Sequence, residues 1–304
     1  MKNRNFSREL PHLRYLASLV DLKPNLNVTR SKRLQKALTI SDLRDLAKKR
    51  TPRGPFDYTD GAADSESSLI RARQLFANIE FHPNILKDVS SVSTNTKILG
   101  ETFSLPFGIA PTGFTRMMHS EGEIAGAKAA SRFGIPFTLS TLGTSSIEEV
   151  ISAAPMGRNW FQLYMWKDRD ASMSLIERAQ KSGVKNLVLT VDVPVAGSRL
   201  RDKRNGLTVP PAITLTEVVR AIPKIEWWWN FVSTPPLKFA SMNSWKGTVG
   251  ELLDFMFDPT MTFEDLKWIR KNWSGTLSLK GVQTLEDAKR ATDFGVDAII
   301  ISNH

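Results

Sequence analysis

Short apolar segments alternate with helical segments from Leu105 to the end of this 304-residue chain. An apolar strand followed by a helix, repeated along a chain, is the pattern of parallel sheets whose connections are helices. No G-x-G-x-x-G motif follows the first strand, which argues against a dinucleotide-binding doubly wound sheet. The alternation therefore predicts an α/β fold, a TIM (β/α)8 barrel with about six of its eight βα units in this sequence.

Local signals place six strands and the starts of several helices. Ser146 and Glu149 form a capping box, while Ser41 and Thr284 are expected to cap two other helices. Gly281 is expected to break the fifth strand. The predicted strands cover residues 106–110, 136–140, 160–164, 186–192, 276–280 and 298–302.

The sequence divides into three predicted parts. Residues 1–40 form a basic arm, residues 41–104 a helical extension that packs on the barrel, and residues 105–304 the incomplete barrel. Within the barrel, residues 193–274 form a long excursion after the fourth strand. Residues 1–54 hold 14 lysines and arginines against 4 acidic residues, so the whole net charge of +10 lies there. Such an arm is either a solvated leader or a contact for anionic lipid or an acidic partner.

Composition excludes several classes of protein. The chain has no cysteine, so disulfides and thiolate catalysis are excluded. No apolar run approaches the ~18 residues of a membrane span, and the N-terminus lacks the apolar core of a signal peptide. The basic arm lacks interleaved aromatic residues, so we expect no nucleic acid partner. We expect a cytoplasmic protein, with peripheral contact to the inner face of the cell membrane left open.

Polar side chains stand at the carboxyl end of the predicted strands. Since these ends share one edge of a parallel barrel, we expect an active site there. Each residue alone could be an ordinary strand terminus, but Asp192 would be costly to bury without a partner. His304 is the candidate base, because imidazole titrates near neutral pH. The residues that the strands bring to this edge are Pro111, Thr112, Gly113, Ser140, Gln162, Tyr164, Thr190, Asp192, Lys280, Ser302 and His304.

Six motifs in this region carry a resemblance to a known family. They are IAPTG, LSTLGTSSIEEV, FQLYMWKDRD, LTVDVPVAGSR, LKGVQTLEDA and ISNH, in this order. With them, residues 37–304 resemble the FMN-dependent α-hydroxy acid dehydrogenases and oxidases, which include glycolate oxidase, flavocytochrome b2 and mandelate dehydrogenase. The segment FDYTDGAAD, the WWW-containing excursion and the basic leader look most like the actinobacterial-type L-lactate dehydrogenases. The pre-mycofactocin synthases are a sister branch with a similar look.

The resemblance implies FMN as cofactor and a role for each matched residue. Tyr58 and Arg199 would bind the substrate carboxylate, and Tyr164 the substrate oxygen. His304 would be the catalytic base, with Asp192 beside it to orient the ring. The residues implied to hold FMN are Pro111, Thr112, Gly113, Ser140, Gln162, Thr190, Lys280 and Ser302.

Simpler interpretations of two of these residues stay open from the sequence. Tyr58 alone could be a packed ring with a satisfied hydroxyl group. Arg199 lies in the basic run SRLRDKR, where a solvated face is common, and Arg201 could take its role.

Two positions refine the implied reaction. Leu142 stands where glycolate oxidases have a bulky tryptophan, and a leucine there resembles the lactate-oxidising members. Gly113 stands where the oxygen-using oxidases tend to have alanine, which implies a dehydrogenase that passes electrons to quinone or cytochrome. The expected reaction is FMN-dependent oxidation of L-lactate to pyruvate. A glycolate- or mandelate-type enzyme and a pre-mycofactocin synthase-like enzyme are the alternatives.

The excursion contains AIPKIEWWWNFVSTPPLKF, a mixture of indole rings and lysines. Such a segment suits a membrane interface, and packing against the barrel or a neighbouring subunit is an equal alternative. Members of the family are usually tetramers or octamers, so a homo-oligomer is expected.

Family members continue beyond the histidine that His304 matches, into Gly-Gly-Arg and two further strands. The sequence therefore predicts a C-terminally truncated fragment of a longer enzyme, with exposed sheet edges. An inactive remnant without flavin is the alternative from outside the enzymes.

Overall fold

The computed structural model describes residues 34–206, 208–209, 222–241 and 247–304, with the backbone alone at 208–209, 247–250 and 252–253. The predicted basic arm lies outside the described residues, apart from residues 34–40. The chain divides into two compact units, Met1–Lys49 and Arg50–His304. All of the candidate site residues belong to the second unit.

The second unit alternates strands with helices, as the sequence predicts. Its helices are α2 (Arg53–Asp60), α3 (Ser67–Ala77), α4 (Thr115–Met118), α5 (Gly122–Phe133), α6 (Ile147–Ala153), α7 (Arg169–Lys181), α8 (Leu200–Arg204), α9 (Ile225–Val232), α10 (Val249–Met256), α11 (Glu264–Asn272) and α12 (Leu285–Asp293). Helix α1 (Ile40–Arg50) begins in the first unit. The strands are β1 (Thr96–Ile98), β2 (Glu101–Phe103), β3 (Pro136–Ser140), β4 (Arg158–Tyr164), β5 (Asn186–Thr190), β6 (Thr208–Val209), β7 (Gly247–Thr248), β8 (Thr276–Val282) and β9 (Ala298–Ile301).

The central sheet is parallel, with the strand order β3-β4-β5-β8-β9. Its register pairs Ser140 with Gln162, Tyr164 with Thr190, and Thr190 with Lys280. These residues end their strands or stand near the end, so their side chains meet at one edge. The register therefore brings these candidate site residues to one edge of the sheet, where the sequence predicts the active face.

Apolar residues on both faces bury most of the sheet, whereas β9 at its edge stays partly exposed. Every residue of β3 and β5 is buried, as expected for parallel strands covered by helices. Leu187 and Leu277 on adjacent strands are fully buried, and Ile176 of α7 packs in the same core. Burial of each such side chain stabilises the fold by about 1.5–3 kcal/mol.

Two predicted features of the strands are wrong. The strand predicted at 106–110 is reduced to a single parallel bridge between Ile109 and Phe137. Pro136 begins β3 and has no N–H group to donate, so the ladder here contains only Ile109 N to Pro136 O and Thr138 N to Ile109 O. Gly281 does not break β8, because the strand continues to Val282 through a register shift at this glycine.

The helix starts are confirmed with one exception. Ser146 and Glu149 form both hydrogen bonds of a capping box, and the Thr284 side chain accepts from Asp287 N. Ser41 is not the cap of α1. Instead, Thr39 Oγ1 accepts from Asp42 N, and the Asp42 carboxylate accepts in return from Thr39 N. Among the described residues, no helix is long and apolar enough to cross a membrane.

Candidate active site

Three side chains from three adjacent segments meet at the carboxyl edge of the sheet. Asp192 follows β5, Lys280 lies near the end of β8, and His304 follows β9. Lys280 Nζ donates to Asp192 Oδ2 at 3.1 Å, and His304 Nδ1 lies 2.7 Å from Asp192 Oδ1. The Asp192 side chain is only 4% exposed, so its carboxylate is buried and paired with both groups.

The protonation of this cluster follows from the donors present. Burial raises the pKa of Asp192, but the hydrogen bond from His304 and the charges of His304 and Lys280 outweigh it and hold this pKa below its ordinary value. The carboxylate is therefore an acceptor. Lys280 Nζ also lies 3.3 Å from His304 Nδ1, but an ammonium group can only donate. Because the Asp192 carboxylate can only accept, we assign the Nδ1 proton to the hydrogen bond with it, so that Nε2 is the acceptor in the neutral imidazole.

Tyr164 faces the free side of this imidazole. Its hydroxyl group lies 3.3 Å from His304 Nε2. Burial raises the pKa of Tyr164, and the nearby charge of Asp192 raises it further. The hydroxyl group is therefore protonated and available as a donor at neutral pH.

Tyr58 lies in the last turn of α2. Burial raises its pKa to about 12, although the charge of Arg199 opposes this shift. A Cβ atom added to Gly113 would lie 3.5 Å from the Tyr58 hydroxyl group and 2.9 Å from Leu142 Cβ. Gly113, Leu142 and Tyr58 therefore form one wall, and this wall has no space for an extra methyl group at position 113.

Arg199 is engaged with the main chain around Tyr58. Its guanidinium group lies 4.9 Å from the centre of the Tyr58 ring and donates to Tyr58 O, and Nε donates to Asp202 at 2.5 Å. In the described part of the chain, the hydrogen bonds of Arg199 thus run to these groups and to Gly61 O rather than to His304. Arg201 instead pairs with Asp60 and Glu66.

Two buried polar atoms at this edge have no partner among the described residues. They are Gln162 Nε2 and Thr190 Oγ1. The carbonyl oxygen of the same amide, Gln162 Oε1, accepts from Ser140 Oγ at 3.1 Å, and this fixes the direction of the NH2 group. A buried donor left without a partner costs roughly 1–3 kcal/mol, so these atoms indicate a polar ligand at the carboxyl edge of β4 and β5.

The remaining predicted cofactor residues surround the same edge. Ser302 Oγ accepts from His304 N at 2.9 Å and so holds the base in place. Gly113 follows Pro111 and Thr112 in the loop after the Ile109 bridge. Loop amides, a lysine and two free polar atoms in a buried setting fit the ring system of FMN, whose edge carries hydrogen-bonding oxygen and nitrogen atoms.

Sequence reasoning missed two residues that shape this site. Gly281 has a φ of +111°, and a Cβ atom there would lie 2.5 Å from Asp192 Cβ. Glu123 is 2% exposed and accepts from Thr144 N, Thr144 Oγ1 and Ser145 Oγ, which anchors the loop after β3. The Lys-Gly pair at a strand end was the available signal for the first, and nothing local marks the second.

Comparison with known proteins shows the family of this chain. The sequence profile of the family described as FMN-dependent dehydrogenase matches residues 47–304. A Mycobacterium tuberculosis (strain ATCC 25618 / H37Rv) protein provisionally named L-lactate dehydrogenase is 55% identical over 298 residues, covering 98% of this chain and 72% of that protein. An L-lactate dehydrogenase of Caulobacter sp. (strain K31) is 42% identical, over 87% of this chain and 71% of its own length.

A solved structure gives the same result at the level of the fold. The crystal structure of the monotopic membrane protein (S)-mandelate dehydrogenase superposes with a TM-score of 0.83 at 34% identity. The match covers 89% of this chain and 73% of that one. The fold is therefore a TIM barrel, as predicted, and the cofactor is FMN. The profile and the relatives together show that this chain belongs to the FMN-dependent dehydrogenase family.

Proposed function

We propose that this protein oxidises L-lactate to pyruvate, with His304 as the base. The observation that carries the proposal is the Asp192 carboxylate, buried 2.7 Å from His304 Nδ1. Because that contact takes the Nδ1 proton, Nε2 is free to remove a proton from the substrate. The imidazolium that forms is stabilised by the same carboxylate.

Tyr164 completes the reacting end of the site. Its hydroxyl group lies 3.3 Å from Nε2, so a substrate hydroxyl group that contacts both from the open side would accept from Tyr164 and donate to His304. Proton removal thus begins from a fixed geometry, which is how positioned groups lower a barrier.

The substrate carboxylate belongs at the other wall. The protonated Tyr58 hydroxyl group is a donor for it, and the charge of Arg199 lies over the same ring. Leu142 and Gly113 form an apolar surface beside Tyr58. A substrate with a carboxylate, a hydroxyl group on the adjacent carbon and a small apolar side chain suits this arrangement, and lactate has these groups.

FMN, when bound, accepts the two electrons that leave the substrate carbon. We propose that Gln162 Nε2 and Thr190 Oγ1 donate to it, together with the loop from Pro111 to Gly113. Lys280 would place a positive charge beside it, and Asp192 holds this ammonium group at 3.1 Å.

The choice of substrate is tested by anaerobic mixing of the FMN-loaded protein with L-lactate, glycolate or (S)-mandelate. We expect L-lactate to bleach the flavin fastest, in agreement with the names of the two relatives. Fastest bleaching by (S)-mandelate would instead assign the function of the structural neighbour. Bleaching by none of the three acids would contradict the proposal.

We further propose that helix α9 places the protein on a membrane surface, where a quinone can take the electrons. One stripe at helical spacing is apolar and exposed, formed by Ile222, Ile225, Trp229 and Val232, which are 60–75% exposed. The opposite face is fixed, because Trp227 is buried and donates from Nε1 to Met117 O at 2.8 Å. A relative of the same fold is a monotopic membrane protein.

Sedimentation with vesicles containing anionic lipid tests this surface. We expect Trp229→Ser combined with Ile225→Ser to reduce the bound fraction, whereas Leu285→Ser, which removes an equally exposed leucine from α12, leaves it unchanged. Equal binding by both variants would contradict the membrane proposal. A tetramer or octamer stays a prediction that the mass of the protein in solution tests.

A further inference from the structure

The excursion between β5 and β8 returns to the barrel directly beside the substrate wall. Its residues 237–241, called the return limb below, make two hydrogen bonds to the loop after β3. Ala240 N donates to Gly143 O at 3.0 Å, and Ser241 Oγ donates to Thr141 O at 2.5 Å. Both acceptors flank Leu142, so the return limb fixes the loop that carries this leucine.

A column of three aromatic rings connects the return limb to Tyr58. Phe239 is 4% exposed, and its ring centre lies 4.1 Å from that of Phe114. The Phe114 ring in turn meets the Tyr58 ring edge to face, at 5.8 Å. Edge-to-face pairs have a preferred geometry, so the position of one ring limits that of the next.

Phe114 is held in a backbone conformation that a bulky residue rarely adopts. Its φ is +56°, and its N–H group donates to Leu142 O at 3.1 Å. Such a conformation persists only where the surrounding packing imposes it. Phe239 and Tyr58 on two sides of the Phe114 ring, with the Leu142 carbonyl at its main chain, supply this packing.

We infer that Phe239 is a positioning residue for substrate binding, which acts on the Tyr58 hydroxyl group through Phe114. The return limb is thus part of the substrate pocket, although it lies far in sequence from the barrel strands that form the edge. This inference rests on the proposed role of Tyr58 as a ligand of the substrate carboxylate. It excludes a direct role of Phe239 in proton removal, since the column does not include His304.

The test uses Phe239→Ala, Tyr58→Phe and the double variant of the FMN-loaded protein, with pyruvate as the probe. Pyruvate affinity is measured from the change in flavin absorbance and from the rise in the unfolding midpoint. We expect Phe239→Ala to weaken pyruvate binding by about 2- to 10-fold, the effect of losing an aromatic pair. Flavin reduction at saturating L-lactate should stay near the wild-type rate, because His304 and Asp192 are untouched.

The double variant separates positioning from general damage to the fold. If Phe239 acts through the Tyr58 hydroxyl group, Phe239→Ala should weaken binding by less than about 2-fold in the Tyr58→Phe background. Independent, multiplying effects in the double variant would overturn the inference. So would a fall in the reduction rate with unchanged pyruvate affinity.

Two further variants keep the test decisive. Phe231→Ala removes a phenylalanine that stacks on Trp227 elsewhere in the excursion, and it should leave pyruvate affinity unchanged. If Phe239→Ala does not fold, Phe239→Leu, which keeps apolar bulk but removes the ring, takes its place. Its pyruvate affinity, alone and combined with Tyr58→Phe, and its rate of flavin reduction then decide the inference in the same way. Failure of wild-type protein to bind pyruvate would contradict the proposed function itself, whereas normal wild-type binding with an unaffected Phe239→Ala contradicts only this inference.

Discussion

His304 Nδ1 lies 2.7 Å from Asp192 Oδ1, and the side chain of Asp192 is 4% exposed. A buried carboxylate at this distance determines both the tautomer and the orientation of the imidazole ring. Lys280 donates to the other carboxylate oxygen, and its charge helps to keep Asp192 ionised. The proposed base, its orienting group and the cation proposed to face FMN are therefore one hydrogen-bonded unit, joined at Asp192.

Replacement of Asp192 by asparagine should leave the His304 imidazole in the wrong tautomer. An amide NH2 group would donate to Nδ1, so the ring proton would move to Nε2, which could no longer accept one. We expect flavin reduction by L-lactate to slow by about 10³- to 10⁴-fold, the size of the effect in catalytic triads. Rapid mixing under anaerobic conditions measures this rate. A variant that reduces flavin at the wild-type rate would show that Nε2 is not the proton acceptor.

Gly281 allows Asp192 to approach Lys280. A Cβ atom at this position would lie 2.5 Å from Asp192 Cβ, and the φ of +111° is strained for alanine. Gly183→Ala is a matched control, since Gly183 has a φ of +82° but nothing within 4 Å of an added Cβ. We expect both variants to lose about 1–3 kcal/mol in free energy of unfolding, measured in urea. Only Gly281→Ala should also slow flavin reduction, and equal rates in the two variants would argue against this role.

Replacement of Thr190 tests directly whether its hydroxyl group binds FMN. Valine keeps the shape of threonine but lacks the hydroxyl group, which has no partner among the described residues. One lost hydrogen bond is worth about 0.5–1.5 kcal/mol, so we expect Thr190→Val to raise the Kd for FMN by about 2- to 10-fold. Equilibrium titration with FMN measures this change. Thr138→Val, on β3 and two residues before Ser140, is the control and should bind FMN as the wild type does.

The pairing of Asp192 predicts a loss of stability in acid. Its pKa in the folded protein lies below the ordinary value of 3.8, so the unfolded chain binds this proton more readily. The contribution is complete above the unfolded pKa and is lost as pH falls through the lower, folded one. Urea unfolding of the wild type and Asp192→Asn from about pH 7 to about pH 3 measures it. We expect the difference in free energy of unfolding between them to fall as pH drops below the unfolded pKa of Asp192, and a difference that stays constant down to about pH 3 would contradict the assignment.

The parallel sheet could be predicted from the sequence because its strands are short apolar runs, and strand ends in register bring polar residues together. The edge residues Gln162, Thr190, Lys280 and His304 follow from that rule. The reduction of the strand predicted at 106–110 to a single bridge could not be predicted from its apolar residues. It depends on Pro136 of the neighbouring strand, which has no N–H group to donate to a longer ladder. Gly281 was expected to end the strand, but the strand continues through a register shift at this residue. Because glycine has no side chain, Asp192 has room beside it.

Contacts between segments distant in sequence could not be predicted. Phe239 and Phe114 are 125 positions apart, and nothing local marks their rings as neighbours. Arg199 was expected at the substrate carboxylate from the family resemblance, whereas its hydrogen bonds in the structure run to the main chain around Tyr58. Its role as a substrate ligand stays a prediction.

The central claim is that His304 removes the substrate proton in an FMN-dependent oxidation. The most direct test is the anaerobic rate of flavin reduction by L-lactate in His304→Gln, with pyruvate affinity measured in parallel. We expect pyruvate still to bind through Tyr58, while reduction slows by about 10²- to 10⁴-fold, the usual contribution of a positioned base. Reduction by His304→Gln at the rate of the wild-type protein would contradict the account.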